Sequence, residues 1–295
     1  MKRGLPLKFT TAILFSTVVA VAQGPPINTN TAFVVGLEGA AIRSFGKVVR
    51  KSTLDRELTV AALPVMVPYE VIPNKLVVIG AIAFLDKSMK LTRDGTQESR
   101  GDAGLGDLKL LAKYQFLQHD NRKSSFRMTY LGGLKLPTGK ADTTLPAPLQ
   151  LGTGSYDFIA GSIATYVRDR WGLNAEAILN KNTKAHDYQF GDILSLNLAL
   201  GYRFFPRVYE IYPSPYATVY LELLTQFSGK NLKQEAELDN NTGGKIVLLS
   251  PGIQYVLSRT LLVEASFQYP VVQDLNGTQL GTDFSVNVGI RWLIF

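Results

Sequence analysis

Along most of this chain, apolar and polar residues alternate one for one. In 194–205, LSLNLALGYRFF, the side chains of Leu194, Leu196, Leu198, Leu200, Tyr202 and Phe204 alternate with those of Ser195, Asn197, Ala199, Gly201 and Arg203. Successive strand residues point to opposite faces, so this reads as a β-strand with one apolar and one polar face. The same period recurs through Leu108, Leu110, Ala112, Tyr114 and Phe116, through Phe126, Met128, Tyr130, Gly132 and Leu134, and through Trp171, Leu173, Ala175, Ala177 and Leu179. It returns at Leu261, Val263, Ala265, Phe267 and Tyr269, and at Phe284, Val286, Val288, Ile290 and Trp292. The pattern predicts an all-β chain with strands at 31–45, 57–69, 76–89, 106–117, 124–136, 156–168, 171–181, 191–205, 216–228, 244–257, 260–272 and 282–295. Runs of about 9–11 residues or more suit tilted membrane strands better than the shorter strands of soluble sandwiches. Pro64 and Pro68 would remove ladder hydrogen bonds from the second strand, and the third is apolar on both faces. One of the first three is therefore a candidate for a bent strand or a plug.

Alternation alone does not say which face meets the outside. A soluble protein would turn the leucines inward; a membrane barrel would turn them to lipid. The connections favour the barrel. Short links at 168–170 and 258–259 alternate with long ones at 46–56, 90–105, 137–155, 182–190, 229–243 and 273–281, with 206–215 an exception by length. Short periplasmic turns and long outer loops produce that rhythm. Aromatics gather beside the turns: Tyr114, Phe116 and Phe126 at one, Tyr166 and Trp171 at a second, Phe204, Phe205, Tyr209, Tyr212 and Tyr216 at a third. Such rings sit well at a membrane interface. Leu194, Leu196, Leu198 and Leu200 are then expected to face lipid, with Tyr202 and Phe204 at the periplasmic interface.

The N-terminus, MKRGLPLKFTTAILFSTVVAVAQG, has a basic start, an apolar run over 9–22 and Ala20-Val21-Ala22 as a cleavage site. This predicts a secretory signal at 1–22, with the barrel over 23–295 and a bacterial outer-membrane location. The longest later apolar run, VVIGAIAFL at 77–85, is about half the ~20 residues of a spanning helix, which leaves a closed barrel as the spanning structure. The formal charge is +7; without Lys2, Arg3 and Lys8 it is +7 − 3 = +4, with no basic stripe, so no nucleic-acid partner is expected. Cysteine is absent, which excludes disulfides, thiol catalysis and zinc–thiolate sites.

In a barrel the polar row faces the lumen. The predicted lining residues are Lys109, Lys113, Arg127, Lys135, Asn174, Glu176, Asn197, Arg203, Glu222, Gln254, Glu264, Gln268 and Arg291. Both signs occur, so mutual pairing that fills the lumen competes with an open path. Ser195 belongs to the same row. Two histidines stand far apart: His119 in the expected turn QHDNRK, and His186 before Asp187 near an outer loop. His186, Asp187 and Ser155 or Ser228 are a candidate hydrolase set that only geometry can decide. No metal site or cofactor is expected from this inventory. Asp94, Glu98, Asp102 and Asp107 lack the spacing of a calcium loop and read as a solvated outer loop.

Four stretches go beyond architecture. GLGDLKLLAKYQFL at 104–117, GGLKLPTGK at 132–140, LGTGSYDFIAG at 151–161 and LSPGIQYVL at 249–257 occur in that order. Together, from about Glu57 to the end, they resemble the outer-membrane family named for the meta-pathway of phenol degradation. That resemblance implies a porin-like transporter of small molecules, aromatic or hydrophobic ones among them, with no catalytic residues. The terminal Phe295 resembles the tag read by barrel-assembly machinery, although it falls out of phase with Ile290, Trp292 and Ile294. The expected partners are outer-membrane lipid, a small solute and that machinery. A structural or adhesive barrel acting through its outer loops is the first alternative. An outer-membrane lipid hydrolase using His186 is the second, and a soluble secreted β-protein the last.

Overall fold

Residues 25–34, 39–93, 96–207, 214–233 and 237–294 are described by a computed structural model; the predicted signal segment and Phe295 lie outside them. The strands are β1 (Ala40–Ser52), β2 (Arg56–Ile72), β3 (Leu76–Arg93), β4 (Thr96–Leu105), β5 (Leu108–Asp120), β6 (Ser124–Leu136), β7 (Asp157–Arg168) and β8 (Trp171–Lys181). A two-residue pair, β9 (Lys184–Ala185) and β10 (Tyr188–Gln189), precedes β11 (Ile193–Phe205), β12 (Tyr216–Ser228), β13 (Gly244–Val256), β14 (Leu261–Leu275) and β15 (Gly281–Ile294). Apart from β9 and β10 they form one antiparallel sheet, which closes because β1 pairs with β15 on one side and β2 on the other.

The barrel has twelve staves. The long strand β3 explains how thirteen strands fill them: its first part, Leu76 to Ala81, pairs with β5, and its last part, Phe84 to Arg93, pairs with β4. β4 and β5 are thus successive lengths of one stave, interrupted at Gly106 and Asp107.

Burial is inverted relative to a soluble fold, which decides the orientation left open by alternation. Leu198 is 49% exposed, Trp292 55% and Val288 61%, while Glu222 and Ser250 are 0% exposed and Gln254 1%. The apolar rows, including Leu194, Leu196 and Leu200, form the outer surface, and the polar rows form the interior. Exposed Tyr69, Tyr114, Tyr130, Trp171, Phe204 and Trp292 ring the end with the short turns, where Phe116 stacks on Tyr130 at 4.2 Å and Trp171 meets Tyr202 at 4.5 Å. That end is the periplasmic one in bacterial barrels.

The prolines leave β2 intact for a specific reason. Residues four apart in a strand direct their backbone groups to the same neighbour. The β1–β2 register accordingly lacks pairs at Pro64 and Pro68, whereas Pro64 still pairs with Ala83 and Pro68 with Ile79 of β3. One ladder is thinned and the other is continuous.

Several boundaries correct the sequence reading. The first strand is β1 at Ala40–Ser52, not 31–45; residues 31–34 are not in the wall at all. The link at 46–56 shrinks to 53–55, and 90–105 is largely the β3–β4 ladder, because its polar residues pair edge to edge beyond the apolar band. Glu98 and Asp102 therefore sit in β4, not in a loop, while Asp94 lies outside the described residues. His119 lies within β5, opposite Phe126, not in a turn. The loop at 182–190 contains the β9–β10 hairpin. The last outer link is 276–280.

Candidate functional site

The segment 25–34, PPINTNTAFV, crosses the barrel interior. Its Pro26, Ile27, Thr29 and Ala32 are almost wholly buried, although none belongs to the sheet. Backbone groups buried away from water need partners, and here wall side chains supply them. The Glu222 carboxylate accepts the amides of Ile27 at 3.2 Å, Asn28 at 3.0 Å and Thr29 at 2.7 Å. Glu176 accepts the amide of Asn30 at 3.0 Å and its side-chain amide at 2.7 Å. Thr165 Oγ1 accepts the amide of Ala32 at 2.7 Å.

The carbonyls are held by the opposite chemistry. Arg291 donates to Pro26, Arg43 to Ile27, and Gln254 to Pro25 at 3.0 Å. Lys113 Nζ donates to Thr31 at 3.1 Å and Phe33 at 2.6 Å. Carboxylates thus take the N–H groups of residues 27–30 and a threonine hydroxyl that of Ala32, while cations and an amide take the plug's C=O groups. Asn28 is the centre: its side-chain amide donates to Ser250 at 3.0 Å and Ser266 at 3.2 Å, and its side-chain oxygen accepts from Gln268 and Asn287, both at 2.7 Å. Apolar contacts complete the seat. Ala32 packs between Leu131 and Ile163, and the Arg127 guanidinium lies 4.8 Å from the Phe33 ring centre.

The wall beneath is itself paired. Glu264 sits between Arg43 and Arg291, at 2.8 Å from each, and accepts from Gln254 at 3.2 Å. Asn197 donates to Glu176 at 2.6 Å, and Asn174 accepts from Thr165 at 2.7 Å. Of the residues anticipated from sequence, Lys113, Arg127, Glu176, Glu222, Gln254, Gln268 and Arg291 touch the plug. Asn174, Asn197 and Glu264 support those that do. Arg203 lies on the interior face of β11 towards the periplasmic end, and Lys109 and Lys135 lie farther out. Sequence reasoning missed Arg43 and Thr165, and it offered a plug only as one alternative for the first three strands, without placing it at 25–34. The available signal was the run PPINTNT, rich in hydrogen-bonding side chains and lacking strand alternation.

Towards the outer end, the loop 137–156 folds inward. Its 3₁₀ turn, Ala147–Leu149, buries Leu149 against Leu58 and Met89. Asp107 fixes the loop's two ends: its carboxylate accepts the Gly139 amide at 3.0 Å, and the Thr153 amide at 3.0 Å and hydroxyl at 3.1 Å. Glycines are required there, since a Cβ on Gly139 would stand 2.9 Å from the Gly106 carbonyl carbon and one on Gly152 2.5 Å from the Gly139 oxygen. The motifs GLGD, LPTG and GTGS thus converge on one junction. Lys135 pairs there with Asp157 and, at 3.5 Å, with Asp107.

His186 and Asp187 have φ of 49° and 59° and form the two-residue turn between β9 and β10, the type I′ geometry that such hairpins favour. Asp187 pairs with Lys184 at 3.0 Å, and Ser155 donates to Asp157 at 2.9 Å. Asp187 and Ser155 are thus engaged by other partners, and the His186 ring lies against Gly154. The turn lines a cavity of about 500 Å³ between the outer loops, together with Thr143, Gln150, Tyr188, Phe190 and Lys233.

The family model described as "Putative MetA-pathway of phenol degradation" matches residues 28–288. The chain belongs to this family. An outer membrane channel from Pseudomonas putida F1 superposes on this family member with a TM-score of 0.69 at 10% identity, covering 91% of this chain and all of that one. That likeness shows a shared outer-membrane β-barrel fold. The β domain of the Bordetella autotransporter BrkA aligns at a TM-score of 0.46 and 15% identity, over 87% of this chain and 99% of that one. No curated protein sequence matches the chain.

Proposed function

We propose that this family member is an outer-membrane channel for small molecules, closed by its own residues 25–34 and opened when that segment leaves the lumen. One observation carries the reading: the plug is bonded to the wall by side chains, not by a strand ladder. Its departure breaks no barrel pairing, and water can replace each lost partner once the lumen floods. Solutes then diffuse, selected by interior charges and by the infolded loop 137–156.

Signal removal after Ala22 fits the same picture, because it leaves only Gln23 and Gly24 ahead of the plug. Passage of aromatic or hydrophobic molecules is supported by the family's description and by the outer cavity, where the Tyr188 and Phe190 rings meet edge to face at 5.0 Å. Deletion of 25–34, with reconstitution in planar bilayers, tests the proposal. Larger and longer openings than those of the intact chain are the expected result; unchanged conductance would overturn it.

A further inference from the structure

We propose that the outer half of the lumen selects anionic solutes, through a bank of lysines on one side of its wall; this rests on the channel reading above. Lys47 and Lys51 lie on β1, Lys87 on β3 and Lys109 on β5, all on interior positions beyond the plug. Register places them together. Lys51 pairs with Leu58, and Leu58 with Met89, whose interior neighbour two residues back is Lys87. Lys109 pairs directly with Lys135. Lys51 is close enough to repel both Lys47 and Lys87, and Lys135 to repel Lys109.

Their partners are few. Among the described residues, no carboxylate lies within 4.0 Å of Lys47, Lys51, Lys87 or Lys109. Lys87 donates only to the Gln150 carbonyl. Asp107 and Asp157 are both engaged by Lys135, and Asp102, opposite Lys87 in the β3–β4 register, is engaged by Lys140 at 3.3 Å. The nearby acids are thus each taken by another lysine, which leaves Lys47, Lys51, Lys87 and Lys109 without a carboxylate partner among the described residues. Arg50, Glu57 and Asp283 neutralise one another at the rim. The facing wall at this level offers Asn180, Ser195 and Gln226, which are neutral.

Deeper in, Arg43, Arg291 and Lys113 are committed to Glu264 or to plug carbonyls. Arg127 pairs with Asp120 at 3.1 Å, and the interior lysines other than the plug-held Lys113 lie in the outer half. Unpaired lysines across a narrow, low-dielectric lumen raise the local concentration of anions and exclude cations. The class of solute that fits is a small organic anion such as a carboxylate, aromatic ones included.

The test is the reversal potential of the plug-deleted channel in a potassium chloride gradient, with barrel folding checked by heat-dependent gel mobility. Chloride is expected to permeate over potassium by roughly tenfold. In the triple variant Lys47→Gln/Lys51→Gln/Lys109→Gln, made in the same plug-deleted background so that the freed Lys113, Glu176 and Glu222 are common to both channels, that preference should fall several-fold with conductance retained. Open channels that prefer potassium, or a triple variant with unchanged preference, would overturn the inference and leave the channel reading standing. A folded, plug-deleted barrel with no conductance would overturn both.

Discussion

The carboxylate of Glu222 accepts the backbone amide of Thr29 at 2.7 Å, joining residues 193 positions apart across the lumen. The same carboxylate takes the two preceding amides, so three successive N–H groups of the plug converge on one buried acid. Hydrogen bonds to charged groups contribute about 1.5–3 kcal/mol each. Glu222→Ala should therefore shift the closed-to-open ratio by ~100-fold even if only one or two of those bonds count in full. Single-channel open probability is the readout. Glu222→Gln, which keeps acceptor oxygen, should fall between the variant and the native chain.

Glu264 bridges Arg43 and Arg291 at 2.8 Å from each, and its side chain is almost wholly buried. Glu264→Leu leaves two guanidinium groups facing each other. Breaking a buried pair in this way costs about 3–5 kcal/mol. The folded barrel should convert to the slower-migrating unfolded form at a clearly lower temperature on a heat-modifiability gel. Arg43→Met with Glu264→Leu should recover part of that loss, because Arg291 then faces no second cation.

Much of this architecture was legible in the sequence, and the exceptions have physical causes. Alternation located the staves from β6 onward to within a few residues, because a one-residue error would have turned Leu198 inward and Asn197 to lipid. It failed at the start. The expected first strand starts at 31, but Ala32 packs on Leu131 and Ile163 in the lumen, not on a neighbouring strand. It also missed β4, whose residues Thr96–Leu105 are polar because they extend beyond the lipid. The lining list pointed to the interior row. That Glu222, Gln254 and Arg291 converge on one short segment depends on long-range closure that no local pattern encodes.

The lipid face can be checked by moving a charge one position. Leu198 is exposed on the outside, between Ala175 and Leu223 of the neighbouring strands. Leu198→Arg should destabilise the barrel by roughly 2–4 kcal/mol in bilayers. Ser195→Arg, on the interior face, should cost far less. Unfolding in urea with reconstituted protein measures both.

Asp107 holds the ends of the loop 137–156 through Gly139 and Thr153. Asp107→Ala should free the loop without opening the barrel. Protease cleavage within it on intact cells should then be faster by about an order of magnitude. Gly152→Ala should act in the same direction, because its Cβ would meet the Gly139 oxygen at 2.5 Å.

Because the chain contains no cysteine, a single engineered pair can lock the plug. Asn28 and Ser250 touch at 3.0 Å between side-chain atoms. The variant Asn28→Cys/Ser250→Cys should be non-conducting in planar bilayers when oxidised, and reduction on the same membrane should open it reversibly. Equal conductance in the oxidised and reduced states, with the cross-link confirmed by mass spectrometry, would contradict closure by residues 25–34.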